Sequence, residues 1–320
     1  MTATQAPTPA VLLMVFNRPA QTEQAVYALL REKPARLYVS GDGPRTGNPT
    51  DQSLIAEVWR IIRSVPWECE VFERQLTENI GCGPGVRSGI DWFFASEERG
   101  LIVEDDVVLG PGALALAGQL FDIGESSPDI GAISLLNCVP DAQLRDPQAS
   151  YRRSIFSSSQ GWGTWAPIWQ RSARSLDQWR TWLPPARLRA IGGRHFQQRW
   201  QGILDTDYAS GALTWDYTWQ AALWAAGLDT LVANRNLIAN TGFTPDASFS
   251  IVPPSWWPHE IQGWEPPMIA PPADILDAHA EKWEANHRYQ VSALFGLRSW
   301  TANRIPRVTA AYRNRRYRSS

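Results

Sequence analysis

The stretch Leu101-Ile102-Val103-Glu104-Asp105-Asp106 decides how this 320-residue chain is read. Three apolar residues run directly into three carboxylates. A short, continuous apolar run suits a strand covered on both faces, as in a parallel sheet. Burial must stop where the acids begin, because adjacent carboxylates have no place in a dry core without partners. In open α/β sheets, ligands bind outside the carboxyl ends of the strands. Hard oxygen ligands at such a place suit Mg²⁺ or Mn²⁺, which bridge protein carboxylates to substrate phosphates. The plainer alternative is a strand end followed by a solvated acidic turn.

Upstream, Val11-Leu12-Leu13-Met14-Val15-Phe16 is a first apolar run of strand length, closed by Asn17-Arg18-Pro19. A helix is expected over 21–32, with Ala25 and Leu29 toward the sheet. Leu37-Tyr38-Val39-Ser40 reads as a second strand, ahead of the turn residues Gly41-Asp42-Gly43-Pro44-Arg45. Helical periodicity then runs over 51–63, a third strand is expected at 69–72, and further helices at 86–98 and 111–123 precede a strand at 130–135. Strands alternating with helices argue for a parallel, doubly wound sheet whose loops converge on one edge.

The formal net charge is -2 and the pI near 6.1, so no basic field exists to recruit nucleic acid. Lys33 and Lys282 are the only lysines, and the remaining positive charge is arginine, which suits bidentate phosphate contacts. Cys69, Cys82 and Cys138 are too few and scattered for a disulfide framework or a zinc site, and a reducing, cytoplasmic setting is expected. Residues 1–10 read as a flexible polar segment without the basic and apolar parts of a signal peptide. No run approaches the ~18 apolar residues of a membrane span. Of 17 tryptophans, fourteen lie between Trp162 and Trp300, where they can fill a core or stack on the apolar face of a sugar.

In the second half, Ser157-Ser158-Ser159-Gln160-Gly161-Trp162-Gly163-Thr164-Trp165 reads as a glycine-rich loop holding two indoles. Helical pieces over 176–182 and 184–200 are expected to cap the sheet. A helix beginning at Trp215 sets Trp215, Trp219 and Leu223 on one face. Asp216 lies in its first turn, where the helix dipole favours a carboxylate whatever else it does. A last strand is expected at 228–232, an irregular Pro- and Trp-rich stretch over 253–272, and a helix within 273–289. The tail 298–320 carries seven arginines and no acid. Either it stays solvated or it makes peripheral contact with the anionic inner face of a membrane.

Several of these stretches match a known pattern when taken together. They are Val11-Leu12-Leu13-Met14-Val15-Phe16-Asn17-Arg18-Pro19, Tyr38-Val39-Ser40-Gly41-Asp42-Gly43-Pro44-Arg45 and Asn79-Ile80-Gly81-Cys82-Gly83. Gly89-Ile90-Asp91-Trp92-Phe93-Phe94, Val103-Glu104-Asp105-Asp106, Gly161-Trp162-Gly163-Thr164-Trp165 and Trp215-Asp216-Tyr217-Thr218-Trp219 follow. Their order and spacing resemble the GT-A nucleotide-diphospho-sugar transferases. More narrowly, they resemble the bacterial glycosyltransferase family 2-like (hemolytic-protein-like) group. The resemblance implies a GT-A, Rossmann-like α/β fold, a mostly parallel sheet flanked by helices, over 11–250. Residues 11–135 would be the nucleotide-sugar half and 136–250 a Trp-rich acceptor half, with an extension over 251–297.

Residue by residue, the resemblance implies that Phe16, Asn17 and Arg18 line a nucleoside pocket. Asp42, with Gly43, would meet the base or ribose. Asp106, with Glu104 or Asp105 beside it, would bind a divalent cation, Mn²⁺ or Mg²⁺, on the donor diphosphate. Trp162 would stack a sugar, and Asp216 would be the general base of an inverting transfer, with Asp205 and Asp207 as rivals. In related sequences a segment like Asn240-Thr241-Gly242-Phe243 leads to a His that can complete the metal site. Here Phe249 stands at that position and cannot ligate a cation, which leaves His195 and His259 as substitutes.

The expected activity is transfer of a sugar from a nucleotide-diphosphate donor, a UDP-sugar, to a hydroxyl of a glycan or lipid-linked saccharide. One alternative is a sugar nucleotidyltransferase, which usually carries a Gly-rich basic segment where this chain has Phe16-Asn17-Arg18-Pro19. Another is a non-catalytic carbohydrate-binding protein using the Trp-rich half.

Overall fold

The computed structural model describes residues 8–172, 176–210, 215–244 and 251–291. Strand β1 (Ala10–Val15) is buried at every position. Helix α1 (Pro19–Glu32) follows, opened by a proline at its first turn, where a missing N–H costs nothing. Its buried Thr22, Ala25, Val26 and Leu29 recur at helical spacing and form the face laid on the sheet. Strand β2 (Arg36–Gly41), helix α2 (Asp51–Ile62) and strand β3 (Glu70–Gln75) complete the first βαβαβ unit. Helix α3 (Cys82–Phe93) then crosses to β4 (Arg99–Glu104), which carries the opening stretch of the sequence. Helix α3 starts at Cys82 rather than at 86, because Gly81, at φ 85, turns the chain directly into it.

After β4 come a short strand β5 (Val107–Leu109), helix α4 (Ala113–Glu125) and strands β6 (Ile130–Ser134), β7 (Tyr151–Ser154) and β8 (Trp162–Trp165). Helices α5 (Ala166–Arg171), α6 (Trp179–Trp182), α7 (Pro185–Ser210) and α8 (Trp215–Ala226) lead to β9 (Asp229–Ala233) and β10 (Ile238–Asn240). Helix α9 (Ala278–His287) is the last helix among the described residues.

Among the described residues the main sheet has eight strands in the order β3-β2-β1-β4-β8-β6-β9-β7. Strands β3, β2, β1 and β4 are parallel, β6 and β9 are parallel, and β8 and β7 run against their neighbours. The fold is therefore α/β, a mostly parallel Rossmann-like sheet flanked by helices.

The two faces of the sheet follow the alternation of side chains along each strand. Val11, Leu13, Val15, Leu101 and Val103 pack on one face under α1, α2 and α4. Leu12, Met14 and Ile102 pack on the other under α3, α5 and α8. A third cluster joins α7 to the outer side of α8 through Trp200, Leu204 and Trp224.

The Gly-Trp-Gly segment departs from expectation. Instead of a surface loop it is β8, inserted antiparallel between β4 and β6. Gly163 explains the choice of residue, since a Cβ there would lie 2.6 Å from the Phe121 ring and 2.8 Å from the Gly100 carbonyl oxygen. Residues 251–277 contain no helix or regular strand and wrap the body. Trp264 Nε1 donates to Ser150 Oγ at 3.2 Å, and Trp264 N donates to Pro111 O at 2.9 Å. Asp277 caps α9, which docks on the sheet edge through Glu284, 3.5 Å from Arg152.

Candidate active site

The chain leaves β1 for β2 and β3 on one side and only then crosses to β4 on the other. The carboxyl ends of β1 and β4 therefore flank a topological switch point, where such sheets open a crevice. A cavity of about 420 Å³ lies there. Phe16, Arg18, Asp42, Glu104, Asp105 and Asp106, drawn from the ends of three adjacent strands, all line it.

Two links tie β1 to β4 across the crevice. Phe16 N donates to Asp105 Oδ2 at 3.3 Å, and Arg18 Nη1 donates to Asp106 Oδ2 at 3.3 Å. Arg18 also stands 3.9 Å from Asp105 Oδ1. Asp105 and Asp106 thus share one guanidinium, and Glu104 lies within its field. Burial, reinforced by Asp106, pushes the Asp105 carboxyl up to about 7. Burial, with its two acidic neighbours and Asp216, drives Glu104 well above the carboxylate range. Asp106 Oδ1 is buried and has no hydrogen-bond partner among the described residues. The segment after β10 closes over it, with Thr241 N donating to Asp106 O at 2.8 Å.

A cation fits this donor set. The acids outnumber their counter-charge, and one of their oxygens is buried and unpartnered. No trio of His, Cys, Asp or Glu among the described residues is arranged to hold a metal unaided. Mg²⁺-type sites built on substrate phosphates need only one or two protein carboxylates. Phe249 lies outside the described residues. His195 and His259 are exposed and line neither cavity described here.

Asp42 lines the cavity, but its oxygens are engaged. Oδ1 accepts from Gly43 N and Ile80 N, and Oδ2 accepts from Asn79 Nδ2 and Gly81 N. The carboxylate fastens the loop after β3 to the end of β2. Gly43 is required at that crossing, since a Cβ would sit 2.5 Å from Glu78 backbone atoms.

Asn17 points away from the cavity and donates from Nδ2 to Asp51 Oδ1 at 2.8 Å. Asp51 is fully buried and also accepts from Arg45 N, Nε and Nη2. Arg45 in turn lies over the Phe16 ring, 5.3 Å from its centroid, and lines the cavity. In the sequence Asp51 is only the first residue of a helical stretch, and no local signal ties it to Arg45 and Asn17.

Trp162 corrects the sequence expectation. It has no exposed surface and packs against Trp169, Trp215 and Trp219, with ring centroids 5.0–6.1 Å away. It lines neither cavity, so its indole belongs to the core and has no face for a sugar.

Asp216, in the first turn of α8, lines a second cavity of about 230 Å³. One of its oxygens accepts from Tyr217 N at 2.9 Å, and burial raises its pKa. Gln160 lines both cavities, and Phe243 of the first touches Trp257 of the second, with centroids 5.3 Å apart. The cavities are therefore neighbours. Of the rival acids, Asp205 is held by Trp179 Nε1 and Arg180 and lines neither cavity. Asp207 is buried and acts on Asp216 through its field. No described helix is long and apolar enough to cross a membrane.

No protein-family model and no curated protein matches the chain. Solved structures do. One is a mannosyltransferase, PcManGT from Pyrobaculum calidifontis, in complex with GDP-Man and Mn²⁺. It matches at 13% identity over 71% of this chain and 76% of that one, with a TM-score of 0.40. Another is a UDP-glucose pyrophosphorylase complexed with UDP-glucose, at 9% identity over 50% of this chain and 76% of that one, with a TM-score of 0.28. Both likenesses are remote, and the geometry of the site carries the functional argument.

Proposed function

We propose that the chain is a glycosyltransferase that moves a sugar from a nucleotide-diphosphate donor, a UDP-sugar, to a hydroxyl of a glycan or lipid-linked saccharide. The observation that carries this reading is the crevice between β1 and β4, where three carboxylates meet one guanidinium beside a second cavity holding Asp216. In this reading the first cavity takes the donor. Phe16 and Arg45 offer a stacked aromatic and guanidinium wall to the nucleoside. Asp106 and Glu104 would hold a divalent cation, which when bound neutralises charge growing on the departing diphosphate.

Asp216 faces the acceptor side. Its burial raises its proton affinity, which suits a base that must take a hydroxyl proton at neutral pH. Direct attack from the second cavity, opposite the diphosphate, makes the transfer inverting and requires no covalent enzyme intermediate. A nucleotidyltransferase is the weaker reading, because the turn after β1 lacks a glycine-rich phosphate loop.

A thermal-shift panel of UDP, GDP, CMP and dTDP, each with Mn²⁺ or with EDTA, tests the proposal. The expected result is a Tm increase for UDP that needs Mn²⁺. A UDP shift indifferent to EDTA would remove the cation from the site, and no shift with any nucleotide would overturn the donor assignment.

A further inference from the structure

The second cavity has a chemistry that catalysis by Asp216 does not use. Two arginines line it, Arg199 from α7 and Arg288 just beyond α9. Trp256, Trp257 and Tyr289 supply aromatic wall. Four of these five residues come from the irregular wrap and the turn after α9, outside the helices and strands that build the donor crevice.

Arg288 is largely withdrawn from solvent, with 13% of its side chain exposed. Its guanidinium lies over Tyr289, 5.0 Å from the ring centroid, and over Trp256 at 5.6 Å. Nη1 donates to Glu284 Oε1 at 3.3 Å. Glu284 is at the same time paired with Arg152 at 3.5 Å, so one carboxylate serves two guanidinium groups. Glu281, the next acid on the helix, is pushed up by burial and by Glu284, and across the cavity Arg288 shares its field with Asp216. Arg199 Nε donates to Tyr289 O at 2.5 Å, which sets the second guanidinium against the same turn. Among the described residues Arg288 makes no hydrogen bond through Nε or Nη2.

A guanidinium with donors to spare matches a carboxylate or phosphate, whose oxygens accept two parallel bonds. Indole and phenol faces match the apolar face of a pyranose ring. The volume, about 230 Å³, is below the ~300–1,000 Å³ of drug-sized sites and restricts the occupant to about one ring. We infer that the second cavity binds a saccharide ring bearing an anionic substituent, with the anion on Arg288 and Arg199, the ring on Trp256 and Trp257, and a hydroxyl toward Asp216. That this saccharide is the acceptor rests on the glycosyltransferase reading, whereas its binding does not.

Calorimetric titration of the full chain with glucuronate, glucose 1-phosphate, glucose and inorganic phosphate tests the inference, with tryptophan fluorescence followed in parallel. At least one charged sugar is expected to bind tenfold or more tighter than glucose and than inorganic phosphate alone. The stronger of the two identifies the anion as carboxylate or phosphate. Arg288→Gln and Arg199→Gln are each expected to erase the preference for charge, while UDP with Mn²⁺ binds both variants as it binds the wild type. That UDP control reports a misfolded variant, and Arg288→Lys, which keeps charge without the fork, is expected to retain only part of the preference. Equal affinity for glucose and both acids, no binding by any sugar, or a charge preference that survives both glutamine variants would overturn it. Loss of the donor reading would appear in the nucleotide panel and leave these titrations unchanged.

Discussion

Arg18 Nη1 lies 3.3 Å from Asp106 Oδ2, and this contact joins the turn after β1 to the end of β4 across the crevice. It is the main counter-charge in a group of three acids, and only 16% of the arginine side chain is exposed. A cation at Asp106 and the Arg18 guanidinium would therefore do overlapping electrostatic work. Arg18→Ala is expected to cost about 2 kcal/mol in EDTA, through a lost charge-assisted hydrogen bond. The deficit should shrink in millimolar Mn²⁺, as the ion replaces the missing charge. Melting curves of both proteins in the two buffers check this, and an equal deficit in both would separate Arg18 from any cation.

The Asp51 network gives a pH-dependent prediction. The Arg45 guanidinium holds the Asp51 carboxyl well below the usual carboxylate range. A depressed folded-state pKa contributes stability that is fully present above the unfolded value, about 3.9, and is lost as pH falls toward the folded one. Asp51→Asn should thus be less stable than wild type by about 2 kcal/mol at pH 7. The difference should begin to narrow below about pH 4 and keep narrowing as the pH falls further toward the folded value. Denaturant titrations at pH 7 and pH 3.5 measure it. Nucleotide affinity should fall as well, because Asp51 anchors Arg45 against Phe16.

Gly242 is pressed against the acidic cluster, and a Cβ there would stand 2.1 Å from Asp106 Oδ2. Gly242→Ala must displace either the carboxylate or the segment after β10. The expected outcome is a tenfold or greater loss of Mn²⁺-dependent UDP affinity, with a stability loss of only about 1–3 kcal/mol, as for other small-to-large changes. Calorimetry with and without the ion distinguishes this from general unfolding.

Asp216→Asn keeps the shape of the side chain and removes its basicity. Transfer should drop by about 10²–10⁴-fold, the usual contribution of a general base. Donor affinity should stay near wild type, since Asp216 lines the neighbouring cavity. Turnover measured beside UDP binding separates the two effects, and undiminished transfer would take Asp216 out of the mechanism.

Much of this was legible in the chain itself. The apolar runs that become β1, β2 and β4 each end in polar residues, and that abrupt change marks both the strand and the edge at which it opens. Helices α1, α2 and α8 announce themselves by apolar residues at helical spacing. Asp216 could be located in a first turn, and Glu104, Asp105 and Asp106 at a strand end, from local pattern alone.

What the pattern could not say is which residues meet. Asn17 and Asp51 are 34 residues apart, Phe16 and Asp105 are 89 apart, and nothing in either neighbourhood encodes the pairing. The glycines around Trp162 signalled a loop, yet they serve to admit a strand between β4 and β6, and that insertion turned an expected sugar platform into core. The second cavity is an extreme case, because its wall joins residues from α7, α8 and the turn after α9. Periodicity and charge are properties of neighbouring residues and survive in one dimension. Convergence depends on strand order and crossover, so only the folded chain decides it.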